Sequence, residues 1–433
     1  MSNPRLRDPL RRPVFRRLAL SYALNELGDW MGIVALSVLV FDQTGSALAT
    51  AALFLGTRFL PALVAPVFVA KAEQVSPRFA LPLIYSGEVA TFAGLALLAA
   101  HFSLAAIVAL AAIDGVLALS SRALTRSVVV SLLAPSGELR AGNAVLNVAF
   151  TGGAALGPGI AGVVVAHFGV QTALLLDAVS FYLLGWIIFT AGPLPHVEPE
   201  PGSLGERVRA GLAYIREQVT LRRLLIAQGG AFVFFAAVIP IEVIYAKQTL
   251  GAGDAGYGLL LAAWGAGMVV GSLVFAAARR SPLPHLLFFG TLAVGAGYLG
   301  LAAAPSLALA CAASAVGGAG NGVQWVAAVS AVQELTIAGM QARVMSVLES
   351  IGAAMPGVGY VMGGLVTAAL EPRATFLVAG VGVVAIVAIA APLLREGWPE
   401  RGSADGQVSL DEGAEVVVEL TTAGGVSSPN RRS

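Results

Sequence analysis

The chain alternates long apolar runs with short polar breaks, and the runs are too long for strands or for half-buried surface helices. By hydropathy they fall at 18–41, 47–69, 79–100, 103–124, 144–167, 171–191, 224–246, 256–278, 283–304, 306–333, 344–369 and 373–394. A helix rises 1.5 Å per residue, so roughly 20 apolar residues cross a hydrocarbon core ~30 Å thick. Runs of that length predict an all-α polytopic membrane protein with twelve transmembrane helices.

The stretch 191–221 interrupts the pattern and leaves six runs on either side. Pro193, Pro195, Pro199 and Pro201 predict an extended linker. From Ser203, SLGERVRAGLAYIREQVTLRRLL predicts an amphipathic helix. Leu204, Val208, Leu212, Ile215 and Val219 recur at helical spacing, opposite Glu206, Arg209, Arg216 and Glu217. A helix of that kind lies along a membrane surface. After Arg395 the composition turns polar and weakly acidic, which predicts a disordered tail. The expected organisation is a basic N-terminus (1–17), a six-helix bundle (18–191), a linker (192–223), a second bundle (224–394) and the tail (395–433).

Composition agrees with this reading. The chain is 57% hydrophobic and only 12% charged, with mean hydropathy +0.82; a soluble domain carries about 25% charged residues. The placement of the charges adds a direction. Of 26 lysines and arginines, 23 fall before the first run, in alternate loops or in the tail. Lys247 and Arg373 fall on the opposite side, and Arg58 lies inside a run. This is the positive-inside signature, so both termini are expected on the cytoplasmic side of the cell membrane. The basic N-terminus is therefore a topology signal, not a nucleic-acid site. Glu26 and Asp29 inside a long first run also argue against a cleaved signal peptide.

Several chemistries lack their residues. A single Cys311 excludes an intrachain disulfide and a cysteine metal cluster, and His101, His167, His196 and His285 show no ligand spacing. The chain carries no P-loop, no GxSxG and no HExxH, so neither ATP-driven pumping nor familiar hydrolase chemistry is expected, and no cofactor or metal.

The two halves read as related units. QTGSALATAALF near Gln43 faces QTLGAGDAGYGLLL near Gln248, VFVA at Val67 faces VFAA at Val274, and ALGPGIAGVVVAHFG at Ala155 faces GVGYVMGGLVTAAL at Gly357. Two related bundles that rock about a central site are a recurrent transporter plan. Gly153/Gly157, Gly267/Gly271, Gly318/Gly322 and Gly359/Gly363 have the spacing that lets helix backbones approach closely. Pro158, between Gly157 and Gly159, favours a kink. Both features suit either a tight static bundle or an interface that shears.

Charges inside the runs need a reason, since an ionised side chain at bilayer depth costs at least ~2.5 kcal/mol. The first half holds Glu26, Asp29, Arg58, Glu88 and Asp114. Asp29 lies roughly 16 Å from the basic end of its run, with Arg58 and Asp114 at similar depth. Asn25 and Asp29, four apart, share a helix face, as do Glu26 and Asp29. One reading is a fixed Asp29–Arg58 pair that only packs. The other counts four carboxylates against one guanidinium, so that unpaired acids in low dielectric take up and release protons. On that reading Glu26, then Asp29, with Arg58 and Asp114, form the proton-coupling set. Surplus acid also favours cationic or amine-bearing cargo.

Other positions have blander alternatives. Asn25, Glu88, Asn147, Phe235, Trp264 and Trp325 are candidate cavity residues, with packing or lipid exposure as the alternative for the aromatics. Arg122 and Arg126 read as interfacial anchors or gating residues. Asp177 reads as a helix-packing hydrogen-bonding group. Glu334, Arg343 and Glu349 are candidates for a latch, and Gly157 and Pro158 for a gating kink.

From about residue 15 to 395 the chain resembles the major facilitator superfamily, and within it the drug-efflux group that includes macrolide-type exporters. The resemblance is carried by NELGDWMGIVALSVLVFDQTGSALATA from Asn25, by RFLPALVAPVFVAKAEQVSPR from Arg58, and by RALTRSVVVSLLAPSGELRAGNAVLN from Arg122 with GPGIAG and LLLDAVSF after it. The linker helix RVRAGLAYIREQVTLRRLL is the fourth stretch. The family's loop between helices two and three reads Gly-x-x-x-Asp-Arg and latches the cytoplasmic side. Here Val69-Ala70-Lys71-Ala72-Glu73-Gln74 stands in its place, ending Ser76-Pro77-Arg78. Glu73 for Asp and Gln74 for Arg weaken such a latch unless Lys71 or Arg126 substitutes.

The resemblance implies two pseudo-symmetric six-helix bundles and a monomeric, proton-coupled exporter of amphipathic small molecules or drugs. The alternatives are an exporter of a physiological metabolite such as a siderophore, a lysolipid flippase, and a transporter-like sensor that moves no cargo.

Overall fold

A computed structural model describes residues 8–195, 204–278, 281–337 and 340–398. Of the expected features, Arg5, Arg7, Arg279, Arg280, His196, Pro199, Pro201 and the tail beyond Trp398 lie outside the described residues. Among those described there is no strand.

The helices follow the apolar runs, although the fourth continues to Leu133, nine residues past its expected end. After α1 (Pro13–Thr44), Gly45 at φ 58° ends the helix in a conformation that favours glycine. Ser46 caps α2 (Ala47–Phe54) by accepting the Ala49 amide. A π turn (Leu55–Phe59) joins α2 to α3 (Leu60–Ala72). Next come α4 (Pro77–Ala100) and α5 (Leu104–Leu133). The 51-residue α6 (Leu139–Phe189) is two helices broken at Gly169, φ 81° and ψ 165°, which lies between the fifth and sixth apolar runs. The linker helix is α7 (Leu204–Glu217).

The seventh run is discontinuous. It is α8 (Val219–Val238), a 3₁₀ turn (Ile239–Ile241), the single turn α9 (Glu242–Ile244) and a second π turn (Tyr245–Thr249). Pro240 has no amide hydrogen to offer an α-helix, which accounts for the interruption. The remaining helices are α10 (Gly253–Ala277), α11 (Leu283–Ala303), α12 (Leu307–Glu334), α13 (Gln341–Ala369) and α14 (Pro372–Gly397).

Among the described residues, ten helical runs are long and apolar enough to cross a membrane. One of them, Ala141–Phe189, holds both expected spans around Gly169, and α12, whose middle carries Gly317, Gly318, Gly320 and Gly322 with Asn321 and Gln324, is not among the ten. The described helices thus give ten to twelve crossings.

In the first half α1 and α4 pack on α6, and α5 packs on α3 and α4. In the second, α12 lies against α10 and α11, while α8 packs on α13 and α14. The halves meet along α6–α10 and α2–α13. Small residues set these crossings. A Cβ on Gly258 would strike the Pro158 carbonyl and Gly162, and one on Gly265 would strike Ala154. Gly267/Gly271 likewise seat on α12, Gly318/Gly322 on α10 and Gly359/Gly363 on α8. Leu83, Leu97, Val148 and Ile226 are exposed apolar side chains, as a lipid-facing surface requires.

The linker helix corrects one expectation. Ile215 of α7 is buried in a cluster with Leu221, Leu224, Val344 and Val347, and Gly211 abuts the Arg343 carbonyl. This helix docks on α13, so its apolar face is not given wholly to lipid.

Candidate functional site

Between the halves lies a cavity in two chambers that share Asp29, Ile33, Arg58, Arg122 and Tyr360. The chamber toward the basic end holds about 550 Å³, and its wall includes Asp29, Arg58, Asp114, Arg122, Trp325 and Glu349. The deeper one holds about 320 Å³, with Glu26, Glu242, Phe235, Tyr257, Trp264 and Tyr298 in its wall. Rings dominate the deep wall. Trp264 and Tyr298 stack at 5.5 Å and 13°, and Phe235 tilts onto Trp264 at 5.8 Å. In the other chamber Phe232 meets Trp325 at 6.1 Å.

The charge pairing differs from the Asp29–Arg58 pair that residue depth suggested. Asp29 accepts a hydrogen bond from Nη2 of Arg122, and the Nε of Arg122 lies 3.5 Å from Oε1 of Glu26. Arg122 is no interfacial anchor. It stands well inside α5, which runs on to Leu133, and it joins α5 to α1. Among the described residues no carboxylate lies within ion-pair distance of Arg58, which projects from the π turn into both chambers. π turns recur at functional sites because the extra residue rotates side chains off the helical register.

Glu26 is 2% exposed and packs on Gly153, so that the Gly153/Gly157 pair of α6 is the seat of Glu26 and Trp30 of α1. Its Oε1 has no hydrogen-bond partner, nor has Oδ1 of Asp114.

Three expected cavity residues lie elsewhere. Glu88 is fully buried inside the first half, with neither carboxylate oxygen hydrogen-bonded. Asn25 is buried, on the same turn of α1 as Glu26, and does not reach the chambers. Asn147 is exposed on α6 and lines neither chamber. Counting residues gives depth but not azimuth, and azimuth separates Glu88 and Asn147 from Asp29, whereas Asn25 shares the face of Asp29 and lies about 6 Å along α1 from it. Asp177 is fully buried against Gly28 of α1, and Ser180 donates to its Oδ1 at 3.2 Å.

The expected basic-end latches are not formed. Arg126 donates to the Tyr22 hydroxyl at 3.1 Å instead of meeting Glu73. Among the described residues neither Glu73 nor Lys71 has an ion pair. Arg343 points at Met340 Sδ, 3.4 Å away, Glu334 accepts from the Trp398 indole at 3.4 Å, and Glu349 lines the wider chamber. Gly157 and Pro158 sit where α6 meets α1 and α10.

The closed end is the opposite one. Lys247 Nζ lies 2.5 Å from Asp42 Oδ1 and 2.6 Å from Asp254 Oδ1, linking α1 to the second half beside the tight α6–α10 crossing. Sequence reading missed this cluster, although the repeat marked it. Asp42-Gln43-Thr44 and Lys247-Gln248-Thr249 hold the same place in the two halves with opposite charge. Glu242, near the outer end of the seventh run, has no expected role, and Tyr257 and Tyr298 carry no sequence signal.

The fold has known parallels. A bacterial homologue of the human lysosomal transporter Spinster, solved inward-facing and unoccupied, superposes with TM-score 0.72 at 14% identity, covering 91% of this chain and 99% of that one. The nucleoside transporter NupG gives TM-score 0.68 at 11% identity, covering 90% and 100%. In sequence, the multidrug efflux pump Tap of Mycobacterium tuberculosis is 26% identical over 419 residues, covering 90% of this chain and 96% of Tap. The family model described as transmembrane secretion effector matches residues 7–421. The chain is therefore a member of the transmembrane secretion effector family, a multi-pass transporter family of the major facilitator superfamily.

Proposed function

We propose that the protein is a proton-coupled exporter of amphipathic small molecules across the cell membrane, working by alternating access with both termini cytoplasmic. The observation that carries this reading is Glu26 and Asp29 on one guanidinium, Arg122, at the wall of the central cavity. Cargo enters from the basic end and lies against the aromatic wall. A proton arriving from outside neutralises Glu26, whose Oε1 has no hydrogen-bond donor. Arg122 then binds Asp29 alone, the α1–α5 contact changes, and that difference biases which end of the crevice is open. The distant likeness to Tap supports a drug-like cargo.

The test is export into an acidified compartment by purified protein in vesicles. Glu26→Gln and Asp29→Asn are expected to abolish acceleration by the pH gradient while the protein remains folded in the membrane. Gradient-driven export that persists in the double substitution overturns the assignment.

A specific observation favours a second reading, cargo taken from the bilayer, as in a lysolipid flippase. An apolar groove of about 640 Å³, lined by Leu55, Phe59, Gly357, Val361 and Leu365 among others, lies between the second apolar run and α13 and meets the wide chamber at Phe59. In the same vesicles, flipping of a fluorescent lysolipid without export of a water-soluble dye supports it.

A further inference from the structure

Four charged side chains of the cavity, Arg58, Asp114, Glu349 and Glu242, lack an ion-pair partner among the described residues, and of these only Glu242 lines the deep chamber from the second half. Arg58 belongs to the first half and shares the wide chamber with Asp29, Asp114 and Glu349, which compensate its charge. Glu242 belongs to the second half, and among the described residues no basic side chain comes within ion-pair distance of it. Arg122, the other guanidinium of that chamber, is engaged by Glu26 and Asp29.

We infer that Glu242 anchors a subsite for organic cations, walled by Phe235, Tyr257, Trp264 and Tyr298. The inference rests on the export reading and names the cargo class of one part of its cavity.

Four observations carry it. First, the backbone is shaped to present this side chain. The 3₁₀ turn at Pro240 ends α8, the π turn at Tyr245 follows, and Glu242 opens the single turn between them. Irregular backbone at membrane depth is tolerated where it lines a cavity. Second, the carboxylate faces open space and not a packed interior. Its residue is half-buried and lines the chamber, and neither oxygen is among the buried groups without partners. Third, the surrounding wall is aromatic. Trp264 and Phe235, tilted onto each other and half-buried, line one corner, and the buried Tyr298 ring backs Trp264 in a near-parallel stack. Ring faces and a carboxylate together attract a cation that has shed its water. Fourth, the size fits, since about 320 Å³ accommodates a drug-sized ligand. A neutral or anionic guest would leave the carboxylate desolvated and unpaired.

The subsite shares its chamber with the coupling acids but not their charge partner. Glu26 and Asp29 pair with an arginine of their own half, whereas the cation meets Glu242 on the other half, so cargo charge and proton need not compete for one carboxylate.

The test uses the full-length protein in lipid nanodiscs, titrated with tetraphenylphosphonium, whose charge does not depend on pH, and with neutral triphenylphosphine oxide. Wild-type protein is expected to bind the cation at least tenfold more tightly than the neutral compound. In Glu242→Gln that ratio collapses by tenfold or more, and in Glu242→Asp it is partly retained. The conservative Asp variant keeps the test open if the Gln variant does not fold. A ratio unchanged within twofold in the Gln variant, or a wild-type protein that does not discriminate, overturns the subsite. A gradient-driven export assay separates the two readings. Cation binding through Glu242 without any export defeats the exporter and leaves the subsite standing, whereas export of the cation unimpaired by Glu242→Gln defeats the subsite alone.

Discussion

Arg122 shows how one side chain holds a charged site together in a low dielectric. Its own side chain is 19% exposed and its partners Glu26 and Asp29 are 2% and 11% exposed, so water screens little of the attraction. Removing the guanidinium leaves two acids three positions apart on α1 facing each other without a cation. Breaking a buried pair in this way costs about 3–5 kcal/mol. Arg122→Met is therefore expected to lower the thermal midpoint of the purified protein, and adding Glu26→Gln with Asp29→Asn to recover most of the loss. A triple variant no more stable than the single one would show that Arg122 holds the fold by packing instead. The acids were legible in sequence because charge inside an apolar run is conspicuous. Their partner was not. The fourth run seemed to end at 124, which placed Arg122 at an interface, but α5 continues to Leu133 and sinks it roughly 16 Å from that end. Arg58 has suitable depth, but the π turn through Leu55–Phe59 turns it off the helical register that depth counting assumes.

Hydropathy located the helices because bilayer crossing demands long apolar runs and short polar breaks, and α11 and α13 differ from their expected bounds by at most three residues. It is blind to breaks that keep the composition apolar, such as Gly169 in α6 and Ile239–Ile241 after α8, where hydrogen bonding changes and hydropathy does not. Spacing of glycines located contacts but not partners. The α6–α10 crossing makes this concrete, because Gly258 has no room for a side chain against Pro158 and Gly162. Gly258→Val must push the helices apart, an overpacking strain of about 1–3 kcal/mol. It is expected to disfavour the state with this end closed, read as loss of transport with increased spin-label distances between α6 and α10. Gly152→Val is the control, since nothing lies within 4 Å of a Cβ there. Equal behaviour of the two variants would mean that the crossing has no part in closure.

At the scale of the whole molecule, closure is lopsided. The end opposite the termini is held by Lys247 between Asp42 and Asp254, whereas the expected Glu73 and Arg343 latches at the basic end are unmade. The two bonds of Lys247 are not equivalent. Asp254 begins α10 and belongs to the same half as Lys247, so that bond only orients the lysine. Asp42 lies on α1 and makes the bond that crosses between halves. Asp42 is 45% exposed, so the crossing bond is worth about 1 kcal/mol, or roughly a fivefold shift between open and closed ends. The experiment places a cysteine at Ile33 in a Cys311→Ser background and labels it from outside with a membrane-impermeant maleimide. Asp42→Asn and Lys247→Met are expected to raise the labelling rate severalfold, and Asp254→Asn much less, because it spares the bond between halves. If all three variants label alike, the cluster is a surface decoration and closure rests on the glycine crossing alone.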